Sequence, residues 1–176
     1  MGALKLRWYV FGAQAVAVHG FPRATADLDV TVDLADLGPE QFVRALESAG
    51  FTARFSDAAF VRATRVIPIV HTATGIPIDV VLAGPGLEQL FLDAAERHRI
   101  GRRTIPVISR EHLIVTKLLA ARAKDLEDVR ELVAIAGGEL DFAHIETLLE
   151  ELESALGQSD LRVRLRELRR ASRRRR

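Results

Sequence analysis

Phe11-Gly12-Ala13-Gln14-Ala15-Val16-Ala17-Val18-His19-Gly20-Phe21-Pro22-Arg23-Ala24-Thr25-Ala26-Asp27-Leu28-Asp29-Val30-Thr31-Val32-Asp33 holds a whole supersecondary unit: a strand end, a glycine, a short helix, a loop and a second strand. Trp8 to Phe11 is a short apolar strand that ends at Gly12-Ala13. Ala13 to His19 reads as a helix stopped by Gly20 and Pro22. Leu28, Val30 and Val32 then alternate with Asp27, Asp29, Thr31 and Asp33, the period of a strand with one polar face. Asp27 and Asp29 are two residues apart, so both side chains leave that face. Carboxylates held so close repel each other unless a cation neutralises them, and hard divalent ions such as Mg²⁺ or Mn²⁺ prefer such ligands. The plainer alternative is the wet side of an ordinary strand. Gly12 lets backbone approach a phosphate, and the helix after it offers free N–H groups; otherwise it is a turn residue.

Working outward, Pro39 to Ala49 is a helix with Phe42, Leu46 and Ala49 on one stripe, closed by Gly50. Val66 to Thr72 and Ile76 to Leu82 flank Ala73-Thr74-Gly75, which marks a hairpin. Asp79 interrupts an otherwise apolar strand, where a carboxylate is costly to bury without a partner. It either completes a three-carboxylate, two-metal site with Asp27 and Asp29 or faces water from an edge strand. Leu87 to Arg97 is expected as a helix and Thr104 to Ile108 as a last strand. Three helices follow: Ser109-capped through Arg122, Asp125 to Ala136 before Gly137-Gly138, and Asp141-capped to Leu156. Strands mixed with helices, then helices alone, indicate an α+β fold. The expected division is an α/β core over 1–108, packed helices over 109–159 and a basic tail over 160–176.

The 176 residues contain no cysteine, which excludes a disulfide framework, a thiolate metal site and a thiol nucleophile. The N-terminus lacks a signal-peptide pattern, and no apolar run approaches the roughly 18 residues that span a bilayer. A cytoplasmic protein without a membrane partner is expected. Net charge is +1, yet Asp160 to Arg176 holds nine arginines against two acids, or +7, leaving −6 for the remainder. That asymmetry suits a polyanion such as RNA, an acidic partner protein, or a solubilising tail with an amphipathic first half. No Gly-Lys-Ser/Thr loop supports a P-loop NTPase. The five histidines show no ligand spacing to one another.

Phe11 to Val30 resembles the first motif of the DNA polymerase β-like nucleotidyltransferase superfamily: strand, glycine turn, short helix, then Asp-x-Asp on the next strand. The wording Pro22-Arg23-Ala24-Thr25-Ala26-Asp27-Leu28-Asp29 is closest to the minimal AbiEii-like branch, known from abortive-infection and toxin–antitoxin systems. Ile78-Asp79-Val80 is similar to the second motif, and Lys117 to Asp128 to that branch's lysine helix followed by Lys-Asp-x-x-Asp. The resemblance covers roughly residues 8 to 136. It implies a mixed sheet with flanking helices and a helical C-terminal part, and transfer of an NMP from an NTP such as ATP to a hydroxyl of RNA (a tRNA end), of a protein or of a small molecule. A cognate partner protein is implied too. Asp27 and Asp29 would bind both of two metal ions. Asp79 would bind the catalytic one and help activate the acceptor. Gly12 and the Ala13 amide would hold the triphosphate, with Arg23, Thr25, Lys117 and Asp125 also serving the nucleotide. The chain departs from the family in having Gly12-Ala13 where Gly-Ser or Gly-Gly is frequent, which removes a hydroxyl contact. That departure favours the rival reading, a non-catalytic binding or antitoxin-like module.

Three residues carry alternatives of their own. Lys117 lies in a helix that is apolar almost all round, so its ammonium either meets an anion or snorkels to water. Asp125 either projects into the arc of Leu126, Val129, Leu132, Val133 and Ala136 or caps its helix, while Lys124 points away. Arg23 either guides triphosphate or braces its loop through a salt bridge.

Overall fold

The computed structural model describes residues 4–54 and 57–173. The chain divides into two compact units, each built from two pieces of sequence. Unit 1 comprises residues 1–15 and 24–108, and unit 2 comprises 16–23 and 109–176.

Unit 1 is a seven-stranded mixed sheet. Its strands are β1 (Arg7–Phe11), β2 (Leu28–Asp33), β3 (Phe51–Ala53), β4 (Val66–His71), β5 (Pro77–Leu82), β6 (Glu96–Ile100) and β7 (Arg103–Val107), in the order β3-β4-β5-β2-β1-β7-β6. β1 runs parallel to β7 and β2 parallel to β5, and the other neighbouring pairs are antiparallel. Helices α2 (Pro39–Ser48), α3 (Ala58–Thr64) and α4 (Leu87–Asp93) belong to this unit. The sheet's core follows strand alternation: Val30 and Val32, Ile67 and Ile69, and Ile78, Val80 and Leu82 are buried. Phe42 and Leu46 of α2 and Phe91 and Leu92 of α4 are buried with them. Pro39 starts α2, as its fixed φ and missing N–H favour.

The elements differ from the sequence expectation in two places. Leu87 to Arg97 is not one helix: α4 stops at Asp93, and Glu96–Ile100 pairs with β7 as the hairpin strand β6. The charged run Glu96-Arg97-His98-Arg99 has no apolar face for a helix to bury, while an outer strand leaves such side chains in water. The second difference is β3 and α3, neither visible as a periodic pattern because each is too short to show one.

Unit 2 is helical. α5 (Arg110–Ala120), α6 (Ala123–Ala136), α7 (Phe142–Leu156) and α8 (Leu161–Arg173) pack around Leu113, Ile114, Leu118, Val129, Leu132, Ile145, Leu149, Leu161 and Leu165, all fully buried. Ser109 and Asp141 cap α5 and α7 as expected, accepting from the N–H groups of His112 and His144. The basic C-terminal segment forms α8, whose leucines face inward at helical spacing. Arg174 to Arg176 lie outside the described residues. The short helix α1 (Gly12–Val18) begins in unit 1 and ends in unit 2. Among the described residues no helix is long and apolar enough to cross a membrane.

Candidate active site

The register of four neighbouring strands decides what can meet on the sheet. Phe11 of β1 lies opposite Asp29 of β2, Asp29 lies beside Asp79 of β5, and Asp79 lies opposite Pro68 of β4. Residues paired in this way share a face, so Asp29 and Asp79 project together from strands about 4.8 Å apart. β5 is interior to the sheet, which removes the edge-strand explanation of Asp79. Asp79 also alternates with the buried Ile78 and Val80, so it is on the opposite face from the apolar core of its strand.

Gly12 closes this row. It has φ +65°, the left-handed region, and a Cβ placed there would lie 1.9 Å from Asp29 Oδ2. The backbone therefore passes directly against the carboxylate, which only glycine permits. Asp27 sits immediately before β2 and is exposed; the Thr25 hydroxyl donates to its Oδ1, which fixes the carboxylate beside the strand start. Ala13 is buried at the start of α1.

Asp33, the last acid on the polar side of β2, is otherwise employed. It accepts from the Ala35 amide at 2.9 Å and from Arg7 Nη2 at 3.0 Å. These bonds hold its carboxyl below the usual carboxylate range, the backbone donor contributing most. Beside it on the same face, Tyr9 is buried, and burial pushes its phenol up to about 12 despite a hydrogen bond with Thr31.

Unit 2 assembles the remaining residues into an ion network. Lys117 is almost wholly buried and places Nζ 2.7 Å from Asp128 Oδ2 and 3.2 Å from Asp125 Oδ1. Arg23 forms an ion pair with Asp128, its Nη2 donating to Oδ2 at 3.2 Å and its Nε lying 2.9 Å from Oδ1. Arg122 Nε lies 2.5 Å from Asp125 Oδ2. Burial alone would raise the Asp125 carboxyl, but the bond from Arg122 and the charge of Lys117 outweigh it and hold the group low. Asp125 points inward and is not the helix cap: that position belongs to Arg122, and Asp125 stands in the first turn. Lys117 does not snorkel, and Arg23 makes the bracing salt bridge. Lys124 is exposed.

Sequence reading passed over the importance of Asp128 as the shared acceptor of Lys117 and Arg23. The signal was present, since Asp125 and Asp128 are i,i+3 on one helix face. It also missed the facing imidazoles of His112 and His144, Nε2 to Nε2 at 3.0 Å, which are 32 positions apart and invisible to local spacing.

Asp29 and Asp79 converge on one side of the sheet, and carboxylates are the hard-oxygen ligands that divalent cations such as Mg²⁺ take. No protein-family model matches the chain, and no curated protein sequence does. Solved structures do. The antibiotic-resistance factor ANT(2'')-Ia matches with a TM-score of 0.59 at 14% identity over 89% of this chain and 88% of that one. An antigenic nucleotidyltransferase-like protein from Paracoccidioides brasiliensis matches at 0.56, 18% identical over 94% and 86%. The lincosamide antibiotic adenylyltransferase LnuA, in its lincomycin-bound form, matches at 0.52, 17% identical over 76% of this chain and 90% of its own. At these identities the likeness establishes architecture: the chain has the nucleotidyltransferase fold, as the polymerase β-like motifs implied.

Proposed function

We propose that this protein is a Mg²⁺-dependent nucleotidyltransferase that moves a nucleoside monophosphate from an NTP, such as ATP, to a hydroxyl acceptor. The observation that carries this reading is the registered pair Asp29 and Asp79 on β2 and β5, with Gly12, just past the end of β1, against the Asp29 carboxylate and Asp27 at the strand start. The acceptor oxygen forms a bond to the α-phosphorus, the bond from that phosphorus to the bridging oxygen breaks, and pyrophosphate leaves. Asp27 and Asp29 would hold two divalent ions, Mg²⁺ or Mn²⁺, and Asp79 would share one of them. Bound there, such ions neutralise phosphate charge and make an acceptor hydroxyl easier to deprotonate. Asp79 has a second duty, to receive the acceptor proton. Thr25 keeps the Asp27 carboxylate turned to its working position.

Gly12 leaves room for a triphosphate to approach the backbone at the Ala13 amide. Two of the three Lys117 N–H bonds are directed at Asp125 and Asp128, and the third is the donor this reading assigns to phosphate. Arg23 and Asp125 serve the nucleotide through the same buried network. The acceptor assigned is a hydroxyl on RNA, such as a tRNA 3′ end, or on a protein, in the setting of an AbiEii-like toxin–antitoxin component with a cognate partner. Neighbours of the same fold are described with lincomycin bound and in complex with adenylyl-2''-tobramycin, which makes a small-molecule hydroxyl the acceptor class to test beside these.

The test is incubation with each α-³²P-labelled NTP and Mg²⁺ in the presence of total RNA, cell protein or a panel of polyhydroxylated small molecules. Label is expected to move to one acceptor class in the wild type and in none with Asp29→Asn or Asp79→Asn, while both variants stay folded by circular dichroism. Equal transfer by the variants defeats the assignment. Nucleotide binding without transfer to any acceptor favours a non-catalytic binding module.

A further inference from the structure

The β6–β7 hairpin is the most concentrated positive charge in unit 1, and nothing in the transfer chemistry uses it. Between residues 97 and 103 stand four arginines, Arg97, Arg99, Arg102 and Arg103, all exposed. The one acid of this hairpin's first strand, Glu96, is 3.0 Å from His98 Nε2 and is not paired with an arginine. Four arginines less one glutamate give the segment 96–104 a net +3, against +1 for the whole chain. Elsewhere the exposed Arg7 is paired with Asp33 and Asp93, and the half-buried Arg130 and Arg164 with Glu127 and Asp160. Arg97, Arg102 and Arg103 have no ion pair or side-chain hydrogen bond among the described residues, and Arg99 donates only to the Gly101 carbonyl, at 3.3 Å.

Strand geometry arranges this charge as a ridge. Arg97 and Arg99 are two residues apart on the outermost strand and project from one face, Arg102 lies in the turn, and Arg103, the first residue of β7 and paired with Ile100, projects from the other face, so the charge wraps around the end of the hairpin. Guarding a sheet edge against another strand needs a charge or two on the edge strand itself. Arg102 and Arg103 do not lie on that strand, so edge protection leaves them unexplained. Like charges this close repel in the free protein and are relieved by a polyanion. The ridge also lacks the aromatic and apolar centre of a protein interface, Ile100 being its single exposed aliphatic side chain. A polar, strongly positive, guanidinium-rich two-stranded ribbon matches instead the phosphate backbone of a nucleic acid, which arginine grips with two parallel bonds.

We infer that the β6–β7 hairpin is a nucleic-acid backbone-binding surface, with Arg97, Arg99, Arg102 and Arg103 contacting RNA phosphates without reading bases. The surface is independent of the proposed transfer reaction, and its test contains no NTP, so the two stand or fall separately.

The experiment uses the full chain and a fluorescein-labelled, mixed-sequence RNA of about 20 nucleotides, followed by anisotropy between about 50 and 200 mM salt. A variant with all four arginines changed to Ser is compared with one in which all four become Lys. The Ser variant is expected to bind at least about tenfold more weakly at mid-range salt, with a log K against log[salt] slope shallower by about 2 to 3; the Lys variant keeps most of both. Should the four-fold Ser variant lose its native circular dichroism, Arg102→Ser/Arg103→Ser, at the turn and the first residue of β7, is expected to give about half the slope change. Unchanged affinity and slope in a folded Ser variant overturn the proposal, as does a wild type whose RNA binding is absent or insensitive to salt. Hairpin-dependent binding of polyglutamate without hairpin-dependent binding of RNA overturns it too, in favour of an acidic protein partner.

Discussion

At the scale of single residues, Gly12 and Asp125 make the sharpest demands. A side chain at Gly12 has to adopt a left-handed φ, which costs about 1–2 kcal/mol, and to displace the Asp29 carboxylate, 1.9 Å from where its Cβ would stand. Gly12→Ala is therefore expected to lower the melting temperature and to abolish transfer together; a variant with wild-type turnover contradicts the close approach. Asp125 gives a pH prediction. Its folded pKa lies below the ordinary value, so its stabilising contribution is complete above about pH 5 and is lost as pH falls through about 4 and below. Denaturation midpoints measured against pH should show a shallower acid limb for Asp125→Asn than for the wild type, and superimposable limbs would show the network to be unimportant. Lys117→Met leaves Asp125 and Asp128 each short of a cation and is expected to cost about 3 kcal/mol. The carboxylates were legible as candidates because each broke a local rule: two acids at alternate positions where a strand begins, and a third inside an apolar strand. Asp128 was legible only as the end of the Lys-Asp-x-x-Asp stretch and not as an ion-pair partner, since a second acid on an amphipathic helix breaks no local rule.

At the scale of elements, α8 shows how pattern outranks charge. Its arginines dominate the composition, yet Leu161, Leu165 and Leu168 recur at helical spacing and are buried, which anchors the segment in the helical unit. Arg162 is held by Glu150 and Glu153 of α7, and Arg169 lies 3.9 Å over the Phe142 ring. Leu165→Ala is expected to cost about 2–5 kcal/mol, and Val163→Ala, at an exposed position of the same helix, no more than about 0.5 kcal/mol. Equal effects in chemical denaturation would mean that α8 does not pack as described. The same logic explains the elements that the sequence hid. β6 is an edge strand whose ladder lies on one side only, so it needs no apolar alternation and advertises none. β3, at three residues, is shorter than the window any periodicity requires.

At the scale of the whole molecule, the decisive fact is that each unit is discontinuous in sequence. Unit 2 takes in residues 16–23, and that piece supplies Val16, which is fully buried, and Arg23, the partner of Asp128. A fragment beginning at residue 109 keeps all four long helices but leaves Asp128 without its arginine. It is expected to show weak cooperativity and a broad thermal transition by circular dichroism, whereas the full chain melts sharply; a sharp, wild-type-like transition for the fragment would show the crossing segment to be dispensable. The fold class was readable from element order because strands and helices change their mixing ratio along the chain. The crossing was not, because a seven-residue helix carries no mark of which neighbours it will join.

The pairing of Asp29 with Asp79 has a consequence for how the gene can change. Side chains alternate along a strand, so a single codon inserted between Pro77 and Asp79 would turn the third carboxylate onto the side occupied by Ile67, Ile69 and Val80. Two inserted codons would restore its direction. A codon added to the turn at residues 72–76 would alter only the turn's length. The site is thus governed by parity: even and odd insertions a few bases apart have opposite fates, and drift in length is confined to the turn.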